Sequence, residues 1–234
     1  MDSCHGRKTR IEAVLFDLDG TLLDTESLST QAMDEVLGKY GKVSTWELKE
    51  KIIGLRGPEW SQIVVEELDL VGELDPHVLL CEQETNLAML SSSVVAMDGA
   101  VALIEELHKR KIPMGISTSS TAASVAAKRG NHENIFGKMD VIVTGDHPAV
   151  INGKPAPDIY IETARLLNVE TTKCLVFEDS FSGLQSGIAA GCICAAIPDL
   201  RHSNLSIFRS TAHIVLDSLD DVVKKLDDQN ICFV

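Results

Sequence analysis

The stretch that decides the fold is VLFDLDGTLLDTE, Val14 to Glu26, in which an apolar run ends at one carboxylate and a second carboxylate follows two residues later. The run is apolar at every position, which is typical of a strand covered on both faces. The two acids are Asp17 and Asp19, and Gly20 after them allows a tight turn. A buried strand that ends in two acids predicts a polar site at its carboxyl end.

Short apolar runs of the same kind recur along the chain, with helical segments between them. The runs read AVLF, IPMGI, DVIVT, CLVF, CICAAI and HIVL. Intervening stretches such as AVALIEELHKRK and PDIYIETARLLN carry apolar residues at three- and four-residue spacing, which favours helices with one buried face. This alternation predicts an α/β fold with a doubly wound, Rossmann-like parallel sheet.

One segment breaks the alternation of strands and helices. It contains no convincing strand, and apolar residues recur every four positions from Leu28 to Val36, as in an amphipathic helix. The sequence predicts an all-α cap domain at 25–91, inserted into a core domain that comprises 10–24 and 92–234. Because the first junction closely follows the acidic strand end, we expect the insertion to act as a lid.

Polar residues follow several of the predicted strands. They are Asp17 with Asp19, Ser117 with Thr118, Gly145 with Asp146, and Glu178 with Asp179. The carboxyl ends of parallel strands meet at one edge, so we expect these side chains to converge. Gathered carboxylates repel one another unless a cation neutralises them, and oxygen ligands without histidine or cysteine select magnesium over zinc. The sequence therefore predicts a Mg²⁺ site, although each acid taken alone is more often a helix N-cap or a solvated loop residue. The predicted ligands are Asp17, Asp19, Glu178 and Asp179.

A second set of residues suits the binding of a phosphoryl group. Lys154 lies in NGKPAPD before a predicted helix, and Thr118 ends the IPMGIST stretch with Ser119 behind it. Taken singly, the lysine is more often a surface residue and the threonine a helix cap. Beside the acids they fit a clamp made of an ammonium group, a hydroxyl and a backbone N–H at a helix start.

Composition narrows the choice of partners. The chain has 234 residues, 44% of them hydrophobic, and a formal net charge of −14, which repels nucleic acid. No apolar run approaches the length needed to span a bilayer, no apolar segment follows the basic opening residues, and the six cysteines are scattered without a CxxC pair. We expect a cytoplasmic protein with reduced thiols, monomeric by default, that binds neither nucleic acid nor membranes.

Four motifs together carry a resemblance to a known family. FDLDGTLLDTE, ISTSS, GKPAPD and VFEDSFSGL occur in the order and approximate spacing of the signature motifs of the haloacid dehalogenase superfamily of phosphohydrolases. The insertion after the first motif resembles the small helical cap of the subgroup that includes β-phosphoglucomutase and many small-molecule phosphatases. Within it, STWELKEKIIG, NHENIFGKMDVIVTGDHPAVINGKPAPD and IPD look most like the pseudouridine-5′-phosphatase and glycerol-3-phosphatase branch.

The resemblance implies a role for each motif residue. Asp17 is expected to be the nucleophile that forms an aspartyl-phosphate, and Asp19 the general acid and base. The expected magnesium ligands are Asp17, the Asp19 carbonyl and Asp179, with assistance from Glu178. The groups expected to hold the phosphoryl oxygens are the Thr118 side chain, the Ser119 N–H and Lys154. The expected substrate is a small phosphomonoester, and a sugar phosphate, glycerol phosphate, a nucleotide-like phosphate and flavin mononucleotide all remain open.

Three rival functions fit the same fold. Dehalogenation attacks carbon and needs neither the second aspartate nor a metal, so Asp19 and the acidic pair at Glu178 argue against it. A β-phosphoglucomutase carries a histidine in the first cap helix where this chain has Ser29, which favours hydrolysis. A non-catalytic binding module would normally have lost a nucleophile or a metal ligand, and neither is lost here.

The cap contains one candidate for substrate specificity. In IIGLRGPEW, Gly54 and Gly57 flank Leu55 and Arg56, which favours a turn between helices that approaches another group closely. We therefore expect Arg56, together with Gly54, to recognise the organic part of the substrate, with an ordinary helix connection and a solvated Arg56 as the alternative.

Overall fold

The computed structural model describes residues 9–52, 57–220, 222 and 231–233. The chain divides into two compact units, of which one is Asp24–Val95 and the other comprises the residues up to Leu23 and from Ala96 onward. The insertion predicted at 25–91 lies within the first of these units. Each unit is described by itself.

The larger unit, here called the core unit, is built on a parallel sheet. Its strands are β2 (Ala13–Phe16), β3 (Met114–Ser117), β4 (Val141–Val143), β5 (Cys174–Glu178), β6 (Ile193–Ala196) and β7 (Ile214–Val215). Their spatial order is β4-β3-β2-β5-β6-β7, and every pair is parallel. A separate two-stranded sheet pairs β1 (Thr9–Ile11) in parallel with β8 (Ile231–Phe233). The predicted α/β fold with a doubly wound sheet is confirmed.

Helices alternate with the strands of the core unit. They are α5 (Ala100–Lys109), α6 (Ala122–Arg129), α7 (Glu133–Phe136), α8 (Asp158–Leu166), α9 (Phe181–Ala189) and α10 (Leu205–Thr211). Side chains of β2 and β5 are fully buried, and one core cluster joins Leu15 and Val176 to Tyr160 of α8 and Leu184 of α9. The continuous apolar strands that identified the fold are therefore strands covered by helices.

The centre of the sheet is where the strand order reverses. From β2 the chain proceeds to β3 on one side, and it later returns to β5 on the other side. Ligands of doubly wound sheets bind in the crevice beyond the carboxyl ends of strands at such a reversal. The register of β2 against β5 determines which residues lie at this edge. Phe16 pairs with Phe177, and the two rings stack with centroids 5.3 Å apart. Asp17 and Glu178 follow these rings directly.

The smaller unit, here called the helical unit, contains only helices and connections in its described residues. The helices are α1 (Thr25–Leu37), α2 (Trp46–Ile52), α3 (Gly57–Glu67) and α4 (Pro76–Leu90), and short 3₁₀ turns follow α1 at Gly38–Tyr40 and α4 at Ser91–Ser93. The Asp24 side chain caps α1 by accepting from the Ser27 N–H at 3.1 Å. The Asp75 side chain caps α4 by accepting from the backbone N–H of His77 at 2.8 Å. Buried Val36, Val64 and Leu79 belong to its apolar core.

Two expectations from the composition, on membrane-spanning segments and on the thiols, can be compared with the described residues. None of their helices combines the length and the apolar character that crossing a membrane requires. Cys81, Cys174, Cys192 and Cys194 are free thiols. Burial raises the pKa of Cys174 to about 12, so this thiol stays protonated and unreactive at neutral pH.

Candidate active site

Asp17 lies at the centre of the site, at the carboxyl end of β2. Its backbone N–H donates to Phe177 O at 3.0 Å, which continues the ladder for one more residue, and only 6% of the residue is exposed. Burial raises the pKa of Asp17 to about 7, the nearby Glu178 and Asp19 add to the rise, and Lys154 opposes it. A carboxylate in this place needs a permanent positive neighbour to remain ionised.

Lys154 is that neighbour. Its Nζ donates to Asp17 Oδ1 at 2.5 Å, to Glu178 Oε1 at 2.7 Å and to the Ser117 carbonyl at 3.0 Å. Burial disfavours the charge on Lys154, but the ion pairs with the two carboxylates raise its pKa above the ordinary value. The Lys154 ammonium group is therefore held in one place, where it contacts residues at the carboxyl ends of β2, β3 and β5.

Glu178 is fully buried and uses both of its oxygens within the protein. Oε1 accepts from Lys154 and from the Tyr160 hydroxyl at 2.6 Å, and Oε2 accepts from the Ser180 N–H at 3.2 Å and the Ser180 hydroxyl at 3.0 Å. A Cβ on Gly183 would overlap the Glu178 carboxylate. Glycine at the start of α9 thus lets the helix approach this acid, whose hydrogen bonds hold Lys154 in place.

Asp19 points to a different set of partners. Its Oδ1 accepts from Lys128 Nζ at 2.6 Å, and its Oδ2 accepts from the Ser120 hydroxyl at 2.7 Å and the Thr118 hydroxyl at 3.3 Å. Gly20, next along the chain, has φ +84° and provides the turn that separates the two acids. The two aspartates, two residues apart, therefore lie in two different electrostatic environments.

A group of carboxylates meets the geometric requirement for a metal ion. One oxygen from each of Asp17, Glu178 and Asp179 lies within 4.8 Å of the others. Asp179 Oδ1 also accepts from the Thr21 hydroxyl at 3.2 Å, and a Cβ on Gly20 would overlap the Asp179 carboxylate. Oxygen-only donors fit a hard divalent cation, and the missing side chain at Gly20 leaves Asp179 the room to take part.

The remaining predicted residues fall in different places. Thr118 is fully buried at the end of β3, whereas Ser119 after it is exposed. The Asp19 side chain does not belong to the cluster of three carboxylates described above. A contribution of Asp19 to the metal would therefore come from its backbone carbonyl, as expected. Arg56 and Gly54 lie outside the described residues, and their role stays a prediction.

Side chains that were not predicted as site residues also donate hydrogen bonds to the predicted site. Among them are Thr21, Ser120, Lys128, Tyr160 and Ser180. A signal for Lys128 was available, because it lies three residues after Val125 and so shares the buried face of α6. Tyr160 lies in the apolar stripe of PDIYIETARLLN, where a core role is the ordinary interpretation and its hydroxyl contact leaves no pattern.

Comparison with known proteins identifies the family of this chain. The model of the haloacid dehalogenase-like hydrolase family matches residues 11–191. The chain belongs to the haloacid dehalogenase-like hydrolase family. The match covers the strand that carries Asp17 and the motifs that carry Thr118, Lys154 and Asp179.

Individual relatives of this haloacid dehalogenase-like hydrolase are named phosphatases. It is 37% identical over 194 residues to (DL)-glycerol-3-phosphatase 2 of Arabidopsis thaliana, covering 82% of this chain and 81% of that protein. It is 35% identical over 215 residues to a probable pseudouridine-5′-phosphatase of Drosophila melanogaster, covering 91% of each. The crystal structure of a putative beta-phosphoglucomutase from Thermotoga maritima superposes with a TM-score of 0.76 at 27% identity, covering 93% of this chain and 99% of that one. The predictions of the superfamily and of a phosphatase are confirmed.

Proposed function

We propose that this hydrolase is a magnesium-dependent phosphomonoesterase that acts through an aspartyl-phosphate on Asp17. The observation that carries the proposal is the buried Asp17 carboxylate paired with Lys154 at 2.5 Å. Asp17 also belongs to a cluster of three carboxylates that suits a divalent cation. The strand end supplies a nucleophile, and the lysine supplies the positive charge that both the nucleophile and a phosphoryl group require.

In the first step, an Asp17 carboxylate oxygen attacks phosphorus while the bond from phosphorus to the leaving oxygen breaks. Asp19 donates its proton to that oxygen, which leaves as an alcohol. Lys154 and the Thr118 hydroxyl neutralise and orient the phosphoryl oxygens. The products of this half-reaction are the free alcohol, an aspartyl-phosphate and an ionised Asp19.

In the second step, the ionised Asp19 takes a proton from a water molecule, and the water oxygen attacks phosphorus. The bond between phosphorus and the Asp17 oxygen breaks, which restores both aspartates and releases inorganic phosphate. One residue forms the covalent bond and the other transfers the proton, which accounts for two acids at one strand end.

Asp17, Asp179 and the Asp19 carbonyl would hold the magnesium ion, with Glu178 beside them. When bound, the ion supplies positive charge for the phosphoryl oxygens and offsets the repulsion among the carboxylates. Glu178 contributes chiefly through its hydrogen bonds with Lys154 and Ser180.

The substrate we propose is a small phosphorylated metabolite, with glycerol 3-phosphate and pseudouridine 5′-phosphate first among the candidates. The support is the identity to a glycerol-3-phosphatase and a probable pseudouridine-5′-phosphatase. Sugar phosphates and flavin mononucleotide belong in the same panel. Ranking these esters by kcat/KM identifies the class, and release of inorganic phosphate separates hydrolysis from isomerisation by a mutase. Against the mutase, Ser29 stands where the histidine would be, and its hydroxyl accepts from Gln83 Nε2 at 3.3 Å within the helical unit.

The decisive experiment replaces the nucleophile. Asp17→Asn should lower kcat by about three powers of ten or more with the fold retained, because the amide is nearly isosteric but a poor nucleophile. Borohydride treatment of the wild type during turnover should reduce the acyl phosphate and convert Asp17 to homoserine, which peptide mass spectrometry detects. Turnover by Asp17→Asn near the wild-type rate would overturn the proposal.

A further inference from the structure

Lys128 is a buried lysine outside the family motifs. The residue is 7% exposed, although it lies in the last turn of α6 next to Arg129, which is exposed and paired with Glu133 at 2.8 Å. Burial of an ammonium group costs free energy unless an anion and hydrogen-bond acceptors compensate it. The position of Lys128 therefore depends on the group that it contacts.

That group is Asp19. Lys128 Nζ donates to Asp19 Oδ1 at 2.6 Å and to the Ser120 hydroxyl at 2.8 Å. The Ser120 hydroxyl in turn donates to Asp19 Oδ2 at 2.7 Å. Lysine, serine and carboxylate thus form a closed ring of hydrogen bonds in which each oxygen of Asp19 has its own donor. Rotation of the carboxylate would break contacts on both sides at once.

The local structure delivers Lys128 to this place. Thr121 caps α6 by accepting from the Ser124 N–H at 3.2 Å, and Asp146 accepts from the Ala122 N–H at 3.0 Å. Val125, three residues before the lysine, is buried on the same face. With its first turn held at two points and one face packed, α6 presents the lysine from a fixed direction.

We propose that Lys128 is a positioning residue that, together with Ser120, sets the orientation of the acid and base Asp19. The inference rests on the proposed function, since it assigns a partner to the proton-transferring group. The ring of hydrogen bonds is that of the ionised Asp19, which is the form that remains when its O–H bond breaks and the proton joins the leaving oxygen, and the pairing with Lys128 holds this form. The same pairing holds this carboxylate until it takes the proton of the attacking water.

The alternative is that the ion pair only fastens α6 to the loop after β2. A fastening role would weaken the protein and would affect all substrates alike. A role through Asp19 depends on the leaving group, because alkyl phosphates need protonation of the leaving oxygen and aryl phosphates need it much less. The two roles therefore differ in a ratio of rates on two esters.

The test uses Lys128→Met, Lys128→Arg and Ser120→Ala, with Arg129→Gln as the matched control in the same helix turn. Each is assayed on p-nitrophenyl phosphate and on the best alkyl ester among glycerol 3-phosphate, pseudouridine 5′-phosphate and glucose 1-phosphate. Lys128→Met should lower kcat on the alkyl ester by about tenfold or more and on the aryl ester by less than about threefold. Lys128→Arg should recover part of the loss, and Arg129→Gln should change neither rate.

A double-mutant cycle with Asp19→Asn completes the test. Adding Lys128→Met to Asp19→Asn should cost little more on the alkyl ester, because the group that Lys128 orients is already gone. Equal losses on both esters, or a second full loss in the Asp19→Asn background, would overturn the inference. If Lys128→Met does not fold, Ser120→Ala decides between the two roles by the same comparison of the loss on the alkyl ester with the loss on the aryl ester. Failure of the proposed function itself would appear separately, as turnover that survives Asp17→Asn.

Discussion

The core unit contains buried ion pairs of a kind that differs from the exposed ion pairs of the helical unit. In the core unit, Lys154 pairs with Asp17 and Glu178 at side-chain exposures of 6%, 9% and 0%. In the helical unit, Lys39 pairs with Glu82 at exposures of 57% and 40%. Exposed pairs contribute little to stability, whereas loss of one partner from a buried pair leaves an uncompensated charge. Buried charge in the core unit is therefore a mark of chemistry, whereas exposed charge in either unit, such as that of the Arg129–Glu133 pair, is mainly a property of the surface.

Stability in the helical unit comes from apolar contacts instead. Val36, Leu37, Val64 and Leu79 are each fully buried in its core. At about 25 cal/mol per Å² of apolar surface removed from water, side chains of this kind outweigh exposed ion pairs. The comparison between the units can be tested by removing charges from each.

The largest effect is expected for Lys154→Met. The substitution removes the ammonium from Asp17 and Glu178, so kcat should fall by about three powers of ten, as expected when a preorganised charge is lost. In a chelator, the free energy of unfolding should fall by about 3–5 kcal/mol because two buried carboxylates lose their partner. Steady-state kinetics and urea unfolding measure the two effects. Lys39→Met is the matched control, and a similar loss there would contradict the contrast between the units.

The strand-end residues of the site were predicted from strand periodicity and from the shared edge of parallel strands, whereas Lys154 was predicted from its sequence motif. Asp17 and Glu178 follow apolar runs, and parallel pairing in register brings such residues to one edge. Lys128 was missed because its contact depends on how α6 is rotated and tilted against the sheet, and helical periodicity alone gives a face but not the object that it faces. Tyr160 was missed for the same reason.

Strand ends were predicted less well than the presence of the strands. The run IPMGI begins at Ile112, but β3 is Met114–Ser117, because Ile112 is buried without taking part in the ladder. The small sheet of β1 and β8 was not predicted, since strands of three residues carry too little periodicity and their pairing joins the two ends of the described chain. Pairing between short segments that lie far apart in the sequence leaves no pattern in the residues around either segment.

The next largest effect is expected for Asp19→Asn, which tests the second electrostatic environment of the core unit. Loss of the general acid should lower kcat on an alkyl phosphate by about two powers of ten, and on p-nitrophenyl phosphate by clearly less. Rates on a series of phenyl phosphates of increasing leaving-group pKa measure the dependence. Parallel losses across the series would mean that Asp19 is not the proton donor.

A smaller effect concerns pH and the metal. Burial raises the pKa of Asp17 to about 7, so below that pH a bound proton must leave before a cation can use this carboxylate. The apparent affinity for Mg²⁺ should therefore fall by about tenfold per pH unit below 7 and level off above it. Calorimetric titration with MgCl₂ at pH 6, 7 and 8 measures the slope. Asp17→Asn should abolish it, and a slope that survives in this variant would assign the proton to another group.

The smallest effect is expected for Lys51→Met in the helical unit. Lys51 pairs with Glu67 at side-chain exposures of 51% and 43%, and water already solvates both charges, so the loss of free energy should stay below about 0.5 kcal/mol with turnover unchanged. Leu79→Ala is the contrasting variant, because removal of a fully buried leucine side chain costs about 2–5 kcal/mol. Urea unfolding of the two variants beside the wild type makes the measurement. If Lys51→Met cost as much as Leu79→Ala, the exposed pairs would support this unit after all, and the difference between the two units would lie only in catalysis.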